Sequence, residues 1–177
     1  VYKRQVIWDN AYCVHWFRGE NQPIPNILSL CRESGNADMI YEFASTSKIT
    51  IPGAGMAVMV ASEKNVAHLA RLMGAQMISY DKVNQLRHVR FLKDKKTTLI
   101  LMEHHGALLR PRFDAFLAEL EKLRPLEIAR WTQPKGGYFI GLYTVPGCAK
   151  RTVELCQEAG LVITQAGAAY PYGKDPM

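Results

Sequence analysis

The chain has 177 residues, 48% of them hydrophobic, with a net charge of +6 at neutral pH and a pI near 9.2. That length holds one domain or two small ones, and the apolar share is enough for a packed core. The basic residues are spread along the chain, so the charge does not point to nucleic acid, and no run reaches the ~18 apolar residues of a membrane span.

Elements follow in chain order. Val1 to Gln5 enter without a helix cap and are expected to be a cloning or assembly scar that carries no fold information. Val6–Trp8, Met39–Phe43 and Met56–Val60 are short apolar runs, as strands buried on both faces of a mostly parallel sheet would be. Pro23, Pro25 and Ser34-Gly35-Asn36 break the chain between the first two. From Ser62 the period becomes helical (Val66, Leu69, Ala70, Met73), with Ser62 as N-cap and Gly74 as stop. Asp81 caps a further helix to about Lys93, and Lys93-Asp94-Lys95-Lys96 reads as a solvated loop. Arg110-Pro111 opens an amphipathic helix carrying Phe113, Phe116, Leu117, Leu120 and Leu123, which Pro125 ends. Ile128–Trp131, the Pro134-Lys135-Gly136-Gly137 turn and Tyr138–Tyr143 form a β-hairpin signal. Gly147–Ala159 reads as a helix stopped by Gly160, and Leu161–Thr164 as a last strand. The final stretch, Tyr172 to Met177, is turn-rich with no closing element, so both ends look cut.

The four cysteines (Cys13, Cys31, Cys148, Cys156) have no Cys-x-x-Cys pair and read as reduced thiols in a cytoplasmic protein. Glu103-His104-His105 makes a poor metal site, because adjacent histidines point apart and no third ligand has suitable spacing. His15 and Trp16 suit either a cleft lining or core packing. Arg87, His88 and Arg90 suit either a solvated helix face or a subunit contact.

The chemistry gathers at strand ends. Asp9 and Tyr12 stand three residues apart at the end of the first apolar run, and Ser45-Thr46-Ser47-Lys48 follows the second. An acid, a phenol, hydroxyls and a lysine beside strands form the set that holds pyridoxal phosphate. A carboxylate beside the pyridine nitrogen favours the protonated ring, which is the electron sink. Asp9 suits that task, and the Tyr12 hydroxyl suits the ring's 3-oxygen. Lys48 suits imine formation, which needs a neutral amine, so burial or nearby cations are expected to depress its pKa. Ser45 and Ser47 suit the phosphate. Each motif alone is weak; their joint occurrence is the signal.

Four segments in order resemble the fold-type I PLP-dependent aminotransferases, most of all a bacterial subgroup of aspartate aminotransferases. They are Trp8-Asp9-Asn10-Ala11-Tyr12, Phe43 to Lys48, Asp81 to His88, and Pro134-Lys135-Gly136-Gly137-Tyr138-Phe139. The resemblance implies that Asp9 pairs with the pyridinium, Tyr12 contacts the 3-oxygen, Lys48 is the Schiff-base lysine and Ser45 contacts the phosphate. It implies an α/β fold: residues 1–93 as the C-terminal part of the PLP-binding large domain, with a mostly parallel sheet, and 94–177 as a small α+β domain, truncated at its end. Gly137-Tyr138 and Ala166-Gly167 fall in that small domain, which closes over the substrate. Met56 stands where many members carry a phosphate-binding arginine, and Gln165 where a proline is frequent. The glycine turn and ring-stacking aromatic of the family's first half are absent here, as is its substrate-carboxylate arginine.

The expected activity is transfer of an amino group from an amino acid, aspartate foremost, to a 2-oxo acid by a homodimer when full length, with no nucleic-acid or membrane partner. The 177 residues alone are expected to be inactive. The rival reading is the PLP-binding effector domain of a bacterial transcription regulator with the same fold.

Overall fold

The structure is a computed structural model and describes residues 4–19 and 24–174. It divides into two compact units, Val1–Leu108 and Leu109–Met177.

The first unit is built on a three-stranded sheet: β1 (Val6–Asp9), β2 (Ile40–Ser45) and β3 (Ala57–Ala61), in that order. β1 and β2 run parallel, with Asp9 opposite Phe43. β3 runs antiparallel to β2, with Ser45 opposite Ala57. The connection from 46 to 56 is too short for the crossover that a parallel partner needs, so the third strand has to return antiparallel. Between β1 and β2 lies α1 (Ile27–Glu33), which the breaker residues conceal; Asn26 caps it by accepting from Ser29 N at 3.1 Å. Pro23 lies outside the described residues.

The strands are not buried on both faces in this chain. Ile40 is 1% exposed, but Ile7 is 73% and Val58 55% exposed. Gln5 makes contact with the fold, its Nε2 donating to Tyr41 Oη at 3.0 Å, while the first segment up to Lys3 lies outside the described residues.

Two capped helices follow. Ser62 caps α2 (Glu63–Gln76) by accepting from Asn65 N, and Asn65 Nδ2 donates to Asp38 O. Gly74 does not stop this helix, which continues two residues past it. Asp81 caps α3 (Lys82–Leu92) by accepting from Asn84 N at 2.9 Å. The Lys93–Lys96 stretch is a helix junction instead of a loop. Lys93 takes a left-handed φ of 58°, and Asp94 accepts from Thr97 N at 2.7 Å to start α4 (Lys95–Glu121). That bond holds the Asp94 carboxyl below its usual pKa.

Pro111 lies inside α4 and does not open a helix. A proline within a helix costs roughly 3 kcal/mol. Here the helix runs through, with Met102 buried on one side and Phe113, Leu117 and Leu120 on the other. The boundary between the two units falls just before this proline.

The second unit has a two-stranded antiparallel sheet, β4 (Ala129–Trp131) and β5 (Leu142–Thr144). The hairpin forms, but its second strand starts at Leu142, later than the aromatic run Tyr138–Tyr143 suggests. Thr132 closes the irregular link, with its N donating to Gly141 O and its Oγ1 accepting from Gly141 N, both at 2.9 Å. Arg130 stacks over Tyr143 at 4.9 Å. α5 (Ala149–Glu158) ends at Gly160, where φ is 83°. Leu161–Thr164 forms no strand: no ladder partner pairs with it among the described residues, and Val162 is 87% exposed. Among the described residues no helix is long and apolar enough to cross a membrane, and no cluster of His, Cys, Asp and Glu could hold a metal ion.

Candidate active site

The parallel pair β1–β2 ends in two turns, and the site residues lie on them. Asp9 is the last residue of β1, and its Oδ1 accepts from Ala11 N at 3.1 Å. The chain is then pinned to β2: Asn10 N donates to Phe43 O at 2.7 Å, and Asn10 Nδ2 to Glu42 Oε1 at 2.7 Å. In the turn that follows, His15 N donates to Tyr12 O, and the Tyr12 and His15 rings meet edge-on at 5.3 Å.

Ser45 ends β2. Asp9, Ser45, Ile7, Phe43, Ala44 and Ala57 line one open depression of about 240 Å³. The alternation of strand side chains puts Ile7 with Asp9 and Phe43 with Ser45 on common faces, so the walls are apolar and the polar groups sit at the carboxyl edge. In open α/β sheets that edge is where ligands bind.

Lys48 lies in a tight turn whose carbonyl anchor is Thr46: Ile49 N and Thr50 N both donate to Thr46 O, at 2.9 and 2.8 Å. Lys48 is exposed, so of the two expected influences, burial or nearby cations, burial is not found in this chain. Its own carbonyl accepts from His15 Nε2 at 3.0 Å. His15 is 3% exposed, and this burial holds its ring below the usual histidine pKa. The Lys48 turn and the Tyr12 turn are thereby joined through one buried imidazole.

The return limb closes on the same turn. Thr46 N donates to Met56 O and Met56 N to Thr46 Oγ1, both at 2.8 Å. The position where many aminotransferases place an arginine is thus backed against Thr46. Ser47 packs on Gly55, where a Cβ would stand 3.0 Å from Ser47 Oγ and 3.2 Å from its N. A side chain there would press on Ser47 unless the turn shifted by a few tenths of an ångström.

Asp9 and Ser45 therefore share one depression at the sheet edge, the turns carrying Tyr12 and Lys48 leave the same edge and are joined through His15, and Ser47 faces the return limb. Sequence reading missed the groups that hold this edge together. Thr46 and Asn84 fall within quoted motifs but carry no assigned role there, Thr50 falls outside them, and His88 is buried at 8% exposure rather than on a solvated face. The faint signal is Asn84-x-x-x-His88, one helix face beside the cap Asp81.

A fit to pyridoxal phosphate can be judged on the donor set. A carboxylate in an apolar-walled depression suits a basic ring nitrogen, a hydroxyl at the strand end suits a phosphate oxygen, and a primary amine on the adjoining turn suits a carbonyl carbon. The residues fit the group.

A lysine on a braced turn thus stands beside a strand-end carboxylate at the carboxyl edge of this sheet. The model of the aspartate amino-transferase family matches residues 3–177. The chain belongs to that family. A protein of Mycolicibacterium smegmatis named only provisionally as an aminotransferase is 45% identical over 174 residues, 97% of this chain and 40% of its own length. An aspartate aminotransferase of Corynebacterium glutamicum is 41% identical over 173 residues, again 97% of this chain and 40% of its own. The crystal structure of an aspartate transaminase from C. glutamicum aligns with a TM-score of 0.91 at 41% identity, over 97% of this chain and 41% of that one. LysN, the α-aminoadipate aminotransferase of Thermus thermophilus, complexed with N-(5′-phosphopyridoxyl)-L-leucine, aligns at 0.72 with 25% identity, over 92% of this chain and 41% of that one. The chain thus spans about 40% of the length of these relatives. Its architecture is that of a C-terminal portion of the fold-type I PLP-dependent transferases.

Proposed function

We propose that the full-length protein is a PLP-dependent aminotransferase that moves an amino group from an amino acid, aspartate foremost, to a 2-oxo acid. The observation that carries this reading is the convergence of Asp9, Ser45 and the Lys48 turn at the carboxyl edge of one parallel strand pair. The sequence identity of 41% to an aspartate aminotransferase supports the choice of donor.

When bound, pyridoxal phosphate supplies a carbonyl carbon that joins amines and a protonated ring that takes up the electrons freed at the substrate α-carbon. Asp9 keeps the proton on the ring nitrogen by charge pairing. The Tyr12 hydroxyl donates to the 3-oxygen. Ser45 holds the phosphate from the end of β2, with Ser47 adding a backbone or hydroxyl donor. The Lys48 amine would hold the cofactor covalently and, when free, would serve as the base that takes the substrate α-proton and the acid that gives it back. Residues 1–93 serve as the end of the cofactor-binding domain and 94–177 as the small domain, in a cytoplasmic homodimer.

The 177 residues by themselves should not transaminate. Ile7, Val58, Val60, Ile78, Val83 and Phe91 are large apolar side chains left exposed in this chain. Such surface favours association over a soluble monomer. Purified residues 1–177 given pyridoxal phosphate, aspartate and 2-oxoglutarate should release no oxaloacetate; sustained turnover by a monomer would refute this.

The deciding experiment is borohydride reduction of the full-length protein with its cofactor, followed by peptide mapping. The label should fall on Lys48, and Lys48→Ala should take none. A label on another lysine would remove the assignment. A labelled Lys48 in a protein that turns over no amino acid would favour the regulator reading instead.

A further inference from the structure

One buried side chain braces the lysine turn from behind and has no part in the chemistry above. His88 lies on α3 at 8% exposure, one helical turn after Asn84. Its Nδ1 is 2.9 Å from Asn84 O. A carbonyl can only accept, so Nδ1 carries the hydrogen, and in that tautomer Nε2 is the acceptor. Nε2 stands 3.0 Å from Thr46 Oγ1 and 3.0 Å from Thr50 Oγ1. Thr46 Oγ1 already accepts from Met56 N, which leaves its own hydrogen to point at Nε2. Thr50 Oγ1 has one hydrogen to give, and donating it to Thr46 O at 3.2 Å ties Thr50 to Thr46 while its oxygen packs against Nε2.

These two threonines bracket Lys48. With Thr46 bonded to the imidazole and Thr50 bonded to Thr46 and packed on the same nitrogen, the rotation of the short turn between them is fixed, and with it the direction in which the Lys48 side chain leaves the backbone. On the other side of the turn, His15 Nε2–H holds Lys48 O, so His15 carries the opposite tautomer. The nitrogens of His88 are engaged with Asn84 and with the two threonines. That geometry suits a brace better than a proton carrier.

We propose that His88 is a positioning residue for the Lys48 amine, acting through Thr46 and Thr50. The inference rests on the reading that Lys48 attaches the cofactor. A flexible lysine depends on its backbone for aim, and a misplacement of about 1 Å at a reacting group can cost on the order of 10²-fold in rate.

The test uses the full-length enzyme with His88→Leu, His88→Gln and Thr50→Val. In His88→Gln the Oε1 atom can accept from Thr46 near the place of Nε2; leucine cannot. Two quantities are read on apoenzyme: the rate at which added pyridoxal phosphate becomes covalently attached, followed by absorption, and the affinity for pyridoxamine phosphate. The latter lacks the aldehyde and binds without the lysine bond. His88→Leu should slow attachment and kcat, each by about 10²-fold, with KM and pyridoxamine phosphate affinity unchanged. Thr50→Val should slow attachment in the same sense by less, and His88→Gln should recover most of the wild-type rate. Attachment at the wild-type rate in His88→Leu would overturn the proposal. So would an equal loss of pyridoxamine phosphate affinity, which would mean general support of the site. If His88→Leu does not fold, Thr50→Val decides by the same two readings. A borohydride label on a lysine other than Lys48 in the wild type would fell the underlying reading as well, a result distinct from normal kinetics with Lys48 labelled.

Discussion

The two sides of the candidate site are built on different terms. The lysine turn is closed by the chain's own hydrogen bonds: Thr46 to Met56, His88 to Thr46 and Thr50, and His15 to the Lys48 carbonyl. The Asp9 side is an open depression with apolar walls, and Asp9 itself is exposed. The contrast matches what each side would have to do under the proposed function. A mobile amine that must meet one carbon needs its backbone held rigidly by supporting contacts. A carboxylate that pairs with a ring nitrogen needs little orientation, but it needs a partner and a dry surrounding to be strong. The brace is thus complete within these residues, while the electrostatic side depends on what covers the depression.

The sharpest way to break that comparison is to neutralise the open side alone. Asp9→Asn in the full-length enzyme keeps the shape and the contact with Ala11 N but removes the charge. Turnover should fall on the order of 10² to 10³-fold, the usual loss for a group that stabilises charge in the transition state, while cofactor affinity changes far less. Steady-state kinetics beside a cofactor titration would read both. A near-normal rate would show that Asp9 does not face the ring nitrogen.

A smaller effect tests how the braced side is anchored. Gly106 on α4 packs on the segment that carries His15: a Cβ there would stand 2.6 Å from Trp16 O and 3.3 Å from Phe17 Cα. Both neighbours are backbone and cannot swing away. Gly106→Ala should therefore destabilise the full-length protein by about 1–3 kcal/mol, the range for overpacking a filled contact. Thermal unfolding would measure it. An unchanged or raised melting temperature would mean that the segment yields freely, and that the brace is softer than its hydrogen bonds suggest.

What could be read in sequence was local. Ser62 and Asp81 announce their helices because a cap and its partner lie three residues apart. Phe113, Leu117 and Leu120 announce a buried stripe because helical period is written in spacing. Pro111 misleads because proline favours a first helical turn, whereas here the helix carries on through it. Leu161–Thr164 has a strand's composition, but a strand exists only where a ladder partner does. The strand-end residues Asp9, Ser45 and Lys48 stand out for their type and position. Their support does not: His88 meets Thr50 and Thr46 across 38 and 42 residues of sequence, and nothing local in either segment encodes the pairing. On α3 the neighbours Arg87 and Arg90 make His88 look solvated. Its burial is a property of the tertiary contact alone.

The subtlest prediction concerns the second histidine of the brace. Burial disfavours charge on His15, so its folded pKa lies below the ordinary value of 6.5. In the unfolded chain the same ring titrates near that ordinary value. Between the two pKa values the unfolded state binds more protons than the folded one, so stability rises with pH across that window and is lost as pH falls from about 6.5 toward the folded pKa. Other groups titrate in the same range, so the absolute slope is not diagnostic; the difference from a variant is. In His15→Gln the amide Nε2 can still donate to Lys48 O, but nothing there titrates. The full-length wild type should lose stability relative to His15→Gln as the pH is lowered below 6.5, with the gap closing above neutrality. Melting temperatures of the two proteins at matched pH would show it. Parallel curves across that window would mean that His15 takes up its proton as easily folded as unfolded, and that the contact with Lys48 sits in wetter surroundings than the 3% exposure of His15 indicates.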